Sequence, residues 1–166
     1  MTPPEAIVHL LKPWADFYSH SKTAVTVVQY VHIGGLLMGG GLAIAADRGT
    51  LRALRLASHE RSGHLRDLAE VHRWVLSGLA AVVVSGLALL AADIETFFGS
   101  WVFWVKMVLV TILLANGYRM TRAESALRHG AAEDSTQWNR LHSVAVTSLG
   151  LWFVVAALGV ALANFS

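Results

Sequence analysis

The chain has 166 residues, 55% hydrophobic and 14% charged, with a mean hydropathy of +0.53. An average soluble domain is about 25% charged, so a soluble globular class is excluded and a single-domain membrane protein is expected. No cysteine is present, which excludes disulfides and thiolate metal sites; the net charge of +2 matters less than where the charges sit, and no nucleic-acid partner is expected.

The opening stretch, MTPPEAIVHLLKPW, lacks a basic region ahead of its short apolar core, so no cleavable signal peptide is expected. Ile7, Leu10, Leu11, Trp14, Phe17 and Tyr18 recur at helical spacing. They predict an amphipathic interfacial helix over 4–20, bent at Pro13. Residues 1–22 are thus read as an N-terminal interfacial segment and 23–166 as a transmembrane domain.

Four stretches are long and apolar enough to cross a bilayer, which takes about 20 residues. They run at about 23–46, 73–92, 100–118 and 142–163. Backbone polar groups in lipid must be satisfied within the segment, so each is a helix, and the fold class is an all-α, four-helix transmembrane bundle. The turn DIETFFGS makes spans two and three an antiparallel hairpin, while the polar stretches before spans two and four extend those helices out of the membrane. All ten arginines lie in or beside the two long polar loops, and only Lys12 and Lys22 lie on the other side. By the positive-inside rule the arginine loops are cytoplasmic and both termini periplasmic, in a bacterial inner membrane. Trp74 and Trp138 at one level, with Trp101 and Trp104 at the other, predict aromatic belts.

Ionisable residues at membrane depth are functional candidates. Lys106 is the one basic residue inside a span, and His32 the one histidine well inside. By helix rise His32 lies about 12 Å and Lys106 about 9 Å from the periplasmic face, nearly one level. Lys106 has a second reading, in which it snorkels to the headgroups. Gly35 and Gly39 follow His32 on the same helical face. They serve either as a small-xxx-small packing ridge or as a flat groove beneath a ligand histidine, where a macrocycle rests. His72 and His142 begin two parallel spans at the cytoplasmic side. Neutral imidazoles so placed can hold a second haem iron or a metal ion, or simply sit at the interface. Gln29, Ser77, Ser85, Asn116 and Ser148 are expected as interhelical hydrogen-bond partners. His59, His64 and His129 are expected to be solvated.

A mid-span histidine in helix one, a helix ending AADR, SGLALL late in helix two and KMVLVTILLANGYR in helix three come in a familiar order. Over roughly residues 24–165 the chain resembles the small four-helix membrane proteins that include CopD-like copper-resistance domains and HemJ-type protoporphyrinogen oxidases. The resemblance to HemJ-like members implies a b-type haem that depends on His32 and Lys106. In helix two HRWVLSGL stands where those proteins carry a Trp-Pro pattern, which counts against porphyrinogen oxidation.

The expected function is therefore haem b binding, with one or two haems, in redox or transmembrane electron transfer. A quinone or protein redox partner and a haem-dependent oxidoreductase activity are compatible with it. The cofactor residues are His32, Lys106, Gly35, Gly39, His72 and His142; four of these, His32, Lys106, His72 and His142, are the metal-ligand candidates. The alternatives are copper transport using His32 and a cofactor-free subunit of a membrane complex or homo-oligomer.

Overall fold

A computed structural model describes residues 3–53, 58–128 and 135–165, with side chains left undescribed for 58–70 and a few positions near the other breaks. The described residues form helices and no strands. They are α1 (Glu5–His20), α2 (Lys22–Gly35), a π-helical turn (Leu36–Gly40), α3 (Gly41–Ala53), α4 (Ser58–Ala92), α5 (Ile94–Gly99), α6 (Trp101–Arg128) and α7 (Ser135–Phe165). Four helical stretches are long and apolar enough to span a membrane: Lys22–Ala53, Val71–Ala92, Trp101–Leu127 and Trp138–Leu162. The all-α transmembrane bundle is therefore observed, and α4 and α7 do continue through the polar stretches that precede their spans. His59, His64 and His129 lie outside the residues whose side chains are described.

Span one is not one uninterrupted α-helix. It is α2, the π turn and α3 in sequence, and it runs on past the expected end at residue 46 to Ala53. Ser21 joins it to α1: its backbone N–H closes α1 on the Phe17 carbonyl, and its hydroxyl accepts from Ala24 N–H at 3.2 Å. At the other end of the bundle's chain path, α5 replaces the expected simple turn. Asp93 caps α5 by accepting from Thr96 N–H at 3.3 Å.

The spans pack as two tight pairs, α4 against α2, the π turn and α3, and α6 against α7; α3 and α7 hold the pairs together. Spans two and three, though consecutive, barely touch, so the expected hairpin is open. The two ends of the bundle are called here the arginine end and the turn end, after the loops found there. At the arginine end Leu127, Trp138, Leu141 and Ala123 form a buried cluster. At the turn end Val102, Phe103 and Leu162 form another, with Phe97 and Leu90 against it.

Large apolar side chains remain exposed on the outer faces, among them Tyr30, Leu37, Leu87, Trp101 and Phe153. That is the surface expected of helices solvated by lipid rather than water. Trp74, Trp101 and Trp104 are exposed and fit the belts, but Trp138 does not: at 5% exposure it is a core residue. Its neighbour Leu141 is fully buried, and Val144, Ala145, Ser148, Trp152 and Val155 continue the same stripe, so α7 presents one inward face three and four residues apart. The helix α1 buries no residue completely; its Trp14 indole donates to the Ala88 carbonyl at 2.8 Å, which ties it to the turn end of α4.

Span one approaches α4 closely through glycine. A Cβ on Gly78 would overlap the backbone of Gly39, one on Gly35 would come within 2.9 Å of the Gly78 carbonyl oxygen, and one on Gly39 within 3.0 Å of the Leu79 nitrogen. Each mid-helix glycine costs about 0.5–1 kcal/mol relative to alanine, which close backbone packing here offsets. One residue on, Gly40 faces α7 instead, where a Cβ would meet the Trp152 ring at 2.9 Å. Span one is thus wedged between α4 and α7.

Gly78→Ala should lower the unfolding free energy by about 1–3 kcal/mol, the usual cost of overpacking. Gly34→Ala and Gly150→Ala, where an added Cβ meets nothing within 4 Å, should leave it unchanged or slightly raised. Thermal melts of the three variants in one detergent make the comparison.

Candidate functional site

His32 sits on α2 two turns from Gly39, and Ser85 sits on α4 two turns from Gly78. Because the helices are antiparallel, the glycine contact brings these two residues to one level, and His32 Nδ1 lies 3.0 Å from Ser85 Oγ. Ser85 is buried, and its hydroxyl lies 2.6 Å from the Ala81 carbonyl. A hydroxyl has one proton to give. Since the Ala81 carbonyl can only accept, that proton goes to Ala81, and Ser85 Oγ must accept from His32 Nδ1–H. The Val82 carbonyl is a second acceptor for the ring and lies 3.2 Å from the same Ser85 Oγ; with Nδ1–H donated on this side, a neutral His32 takes the Nδ1–H tautomer and keeps its lone pair on Nε2. An imidazole oriented through one nitrogen while the other carries a lone pair is the arrangement of an orienting partner behind a metal ligand. Gly86 lies beside the ring, where a Cβ would make ordinary contact with His32 Cε1 at 3.5 Å.

Lys106 enters the same level from α6. Its ammonium is turned toward α7, 3.6 Å from the place of a Cβ on Gly159, and it acts electrostatically on His32. Its side chain is half-buried at this position. The structure thus brings His32 and Lys106 into one neighbourhood from the two helix pairs.

The glycine groove is a correction. Gly35 and Gly39 are buried against Gly78, Leu79, Ala81 and Val82 of α4, so the face below His32 is already filled by a helix. A macrocycle would have to part α2 from α4 to rest there. His72 and His142 are a second correction. His72 lines a cavity between α4 and α6, whereas His142 is exposed beside the buried Leu141, and α4 and α7 are not packed partners. Among the described residues no group of three or more His, Cys, Asp or Glu side chains is placed to hold a metal.

Of the expected interhelical partners, Ser85 and Ser148 bond across helices, and Asn116 donates to the Val144 carbonyl of α7 at 2.9 Å while 4% exposed. Ser77 is exposed and turns back to Arg73 on its own helix; Gln29 is exposed too.

Asp47 was not foreseen as a site residue. It reads in sequence as the first polar residue at the end of a span, yet it is 1% exposed and hydrogen-bonds Ser148. The overlooked signal is its spacing of seven from Gly40, which puts both on the face turned to α7.

Residues 16–166 match the model of a family of unknown function, DUF6644. The chain belongs to DUF6644. The match takes in α2 through α7, so in this DUF6644 chain His32, Ser85, Lys106 and Asp47 all lie inside the shared region. No curated protein and no solved structure matches the chain.

Nitrogen-15 spectra of labelled histidine should show His32 as the Nδ1–H tautomer. In Ser85→Ala that preference should weaken, with the Val82 carbonyl as the remaining acceptor, and the unfolding free energy should fall by about 0.6 kcal/mol, the mean for single hydrogen bonds between membrane helices.

Proposed function

We propose that this chain is a b-type haem-binding membrane protein that carries electrons, with His32 as axial ligand. The observation that carries this reading is the His32–Ser85 hydrogen bond, which orients the imidazole and leaves Nε2 with a free lone pair at the level of Lys106. The residues present suit an iron ligated from one side. A haem held there supplies one-electron exchange between ferric and ferrous iron. Ser85 keeps the ring from rotating and fixes its tautomer. Lys106 would be the residue to give a second ligand, once its amine is deprotonated, or an ammonium to pair with a propionate. The glycine ridge, occupied by α4, takes no part.

One haem is proposed rather than two, because His72 and His142 are not brought together. The proposal agrees with the resemblance to HemJ-type proteins in its two residues, His32 and Lys106. The chain is placed in a bacterial inner membrane with the arginine end cytoplasmic and both termini periplasmic, by the positive-inside rule. A quinone or a protein serves as redox partner, with the chain acting alone, as a homo-oligomer or as a subunit of a larger complex. Copper transport has less beneath it, given the absence of a three-ligand group among the described residues. A cofactor-free subunit accounts for the glycine interface and for the His32–Ser85 bond as an interhelical tie, and leaves the Nε2 lone pair unused.

Absorption spectra of the purified full chain, oxidised and dithionite-reduced, test the reading. A Soret band is expected, lost in His32→Ala and shifted in Lys106→Ala. Ser85→Ala should keep the band but weaken haem retention about 10–100-fold, as removal of an orienting partner does. No Soret band after haem supplementation would overturn the proposal.

A further inference from the structure

A second site lies near the arginine end, about 20 Å from His32 by helix rise. A cavity of about 340 Å³ opens between α4 and α6, at the seam where those helices barely touch. Its volume is that of a small-ligand pocket. Its deep corner is polar: Asp47 and Ser148, with Glu124 close enough to act on the Asp47 charge. Its walls are apolar, from residues such as Val75, Leu79, Leu113 and Trp152. Its mouth is formed by Leu76, Leu114 and Tyr118, which are 53%, 47% and 60% exposed on the surface that faces lipid.

Asp47 is the odd residue in this corner. It is 99% removed from contact with solvent, and Ser148 satisfies part of its carboxyl, but Oδ2 has no hydrogen-bond partner. A buried, unpaired carboxylate oxygen is costly. Asp47, Glu124 and His72 line the cavity, and no Arg or Lys does among its described lining residues. The open position on Asp47 Oδ2 suits a cation that also donates a hydrogen bond. No group of three or more acidic or imidazole ligands is placed to hold a metal ion among the described residues, and the apolar walls match a hydrocarbon or aromatic body.

We infer that this cavity binds a protonated amine carried on an apolar body, which arrives sideways from the bilayer between α4 and α6 and places its ammonium on Asp47. The ammonium donates to Oδ2 while Ser148 holds the rest of the carboxyl. Glu124 adds negative charge to the same corner, and the apolar part of the ligand fills the space beside Trp152. No electron or proton transfer is involved, so the site works with or without haem at His32.

The full chain in lipid nanodiscs, tested by equilibrium dialysis with 2-phenylethylamine and with its uncharged match 2-phenylethanol, decides the matter once partition into empty nanodiscs is subtracted. Saturable binding of the amine and none of the alcohol is expected. Asp47→Asn keeps the side-chain size and removes the charge; it should weaken amine binding at least about tenfold, in line with the strength of a hydrogen bond to a charged group. Leu76→Trp narrows the mouth without touching the acids and should also abolish amine binding, so the test survives if Asp47→Asn does not fold. Equal binding of amine and alcohol, no saturable amine binding, or amine binding unchanged in either variant would overturn the inference.

Discussion

The contact of Gly39 with Gly78 governs the rest of the bundle. Two helix backbones can approach this closely only where neither carries a Cβ, and the contact fixes both the distance and the register of α2 against α4. Seven residues along each antiparallel helix from that point, His32 meets Ser85. One residue away on span one, Gly40 sets the matching contact with Trp152 of α7; seven residues further Asp47 meets Ser148, four residues before Trp152. A pair of glycine contacts thus positions a polar pair in each half of the membrane domain.

The packing is uneven by design of the sequence. Each helix pair has small residues or a continuous inward stripe at its interface, whereas α4 and α6 face each other across a lined space. Dispersion contacts forfeited across such a gap are not replaced by the protein itself. Access from lipid is therefore easiest along the seam between the consecutive spans α4 and α6, not at the ends of the bundle.

Much of this was legible in the sequence. Twenty-residue apolar runs, arginines confined to two loops and the lone histidine and lysine at depth are all properties of single segments, and the helices and the shared level of His32 and Lys106 follow from them. What was not legible depends on which helices meet. The ridge of Gly35 and Gly39 reads equally well as a groove or an interface until its partner, Gly78, is known. Trp138 has the position of a belt residue and becomes core only because α6 supplies Ala123 and Leu127 opposite it. His72 and His142 share a level in the chain but sit on helices that do not pack. Asp47 looks like the end of a span because the helix was expected to stop there; its continuation to Ala53 turns that end into an interior.

The π turn at Leu36–Gly40 separates the two polar pairs, and its hydrogen bonds close one residue later than those of an α-helix. One residue of an α-helix corresponds to a rotation of about 100°. The turn therefore acts as a fixed angular offset within span one: the part bearing His32 packs on α4, and the part bearing Asp47 packs on α7 as well as on α4. Losing a single residue there would keep the hydrophobic length nearly intact and yet throw the two halves of the span out of phase, so the geometry of the membrane domain is more sensitive to indels at these glycines than to most substitutions on its lipid face.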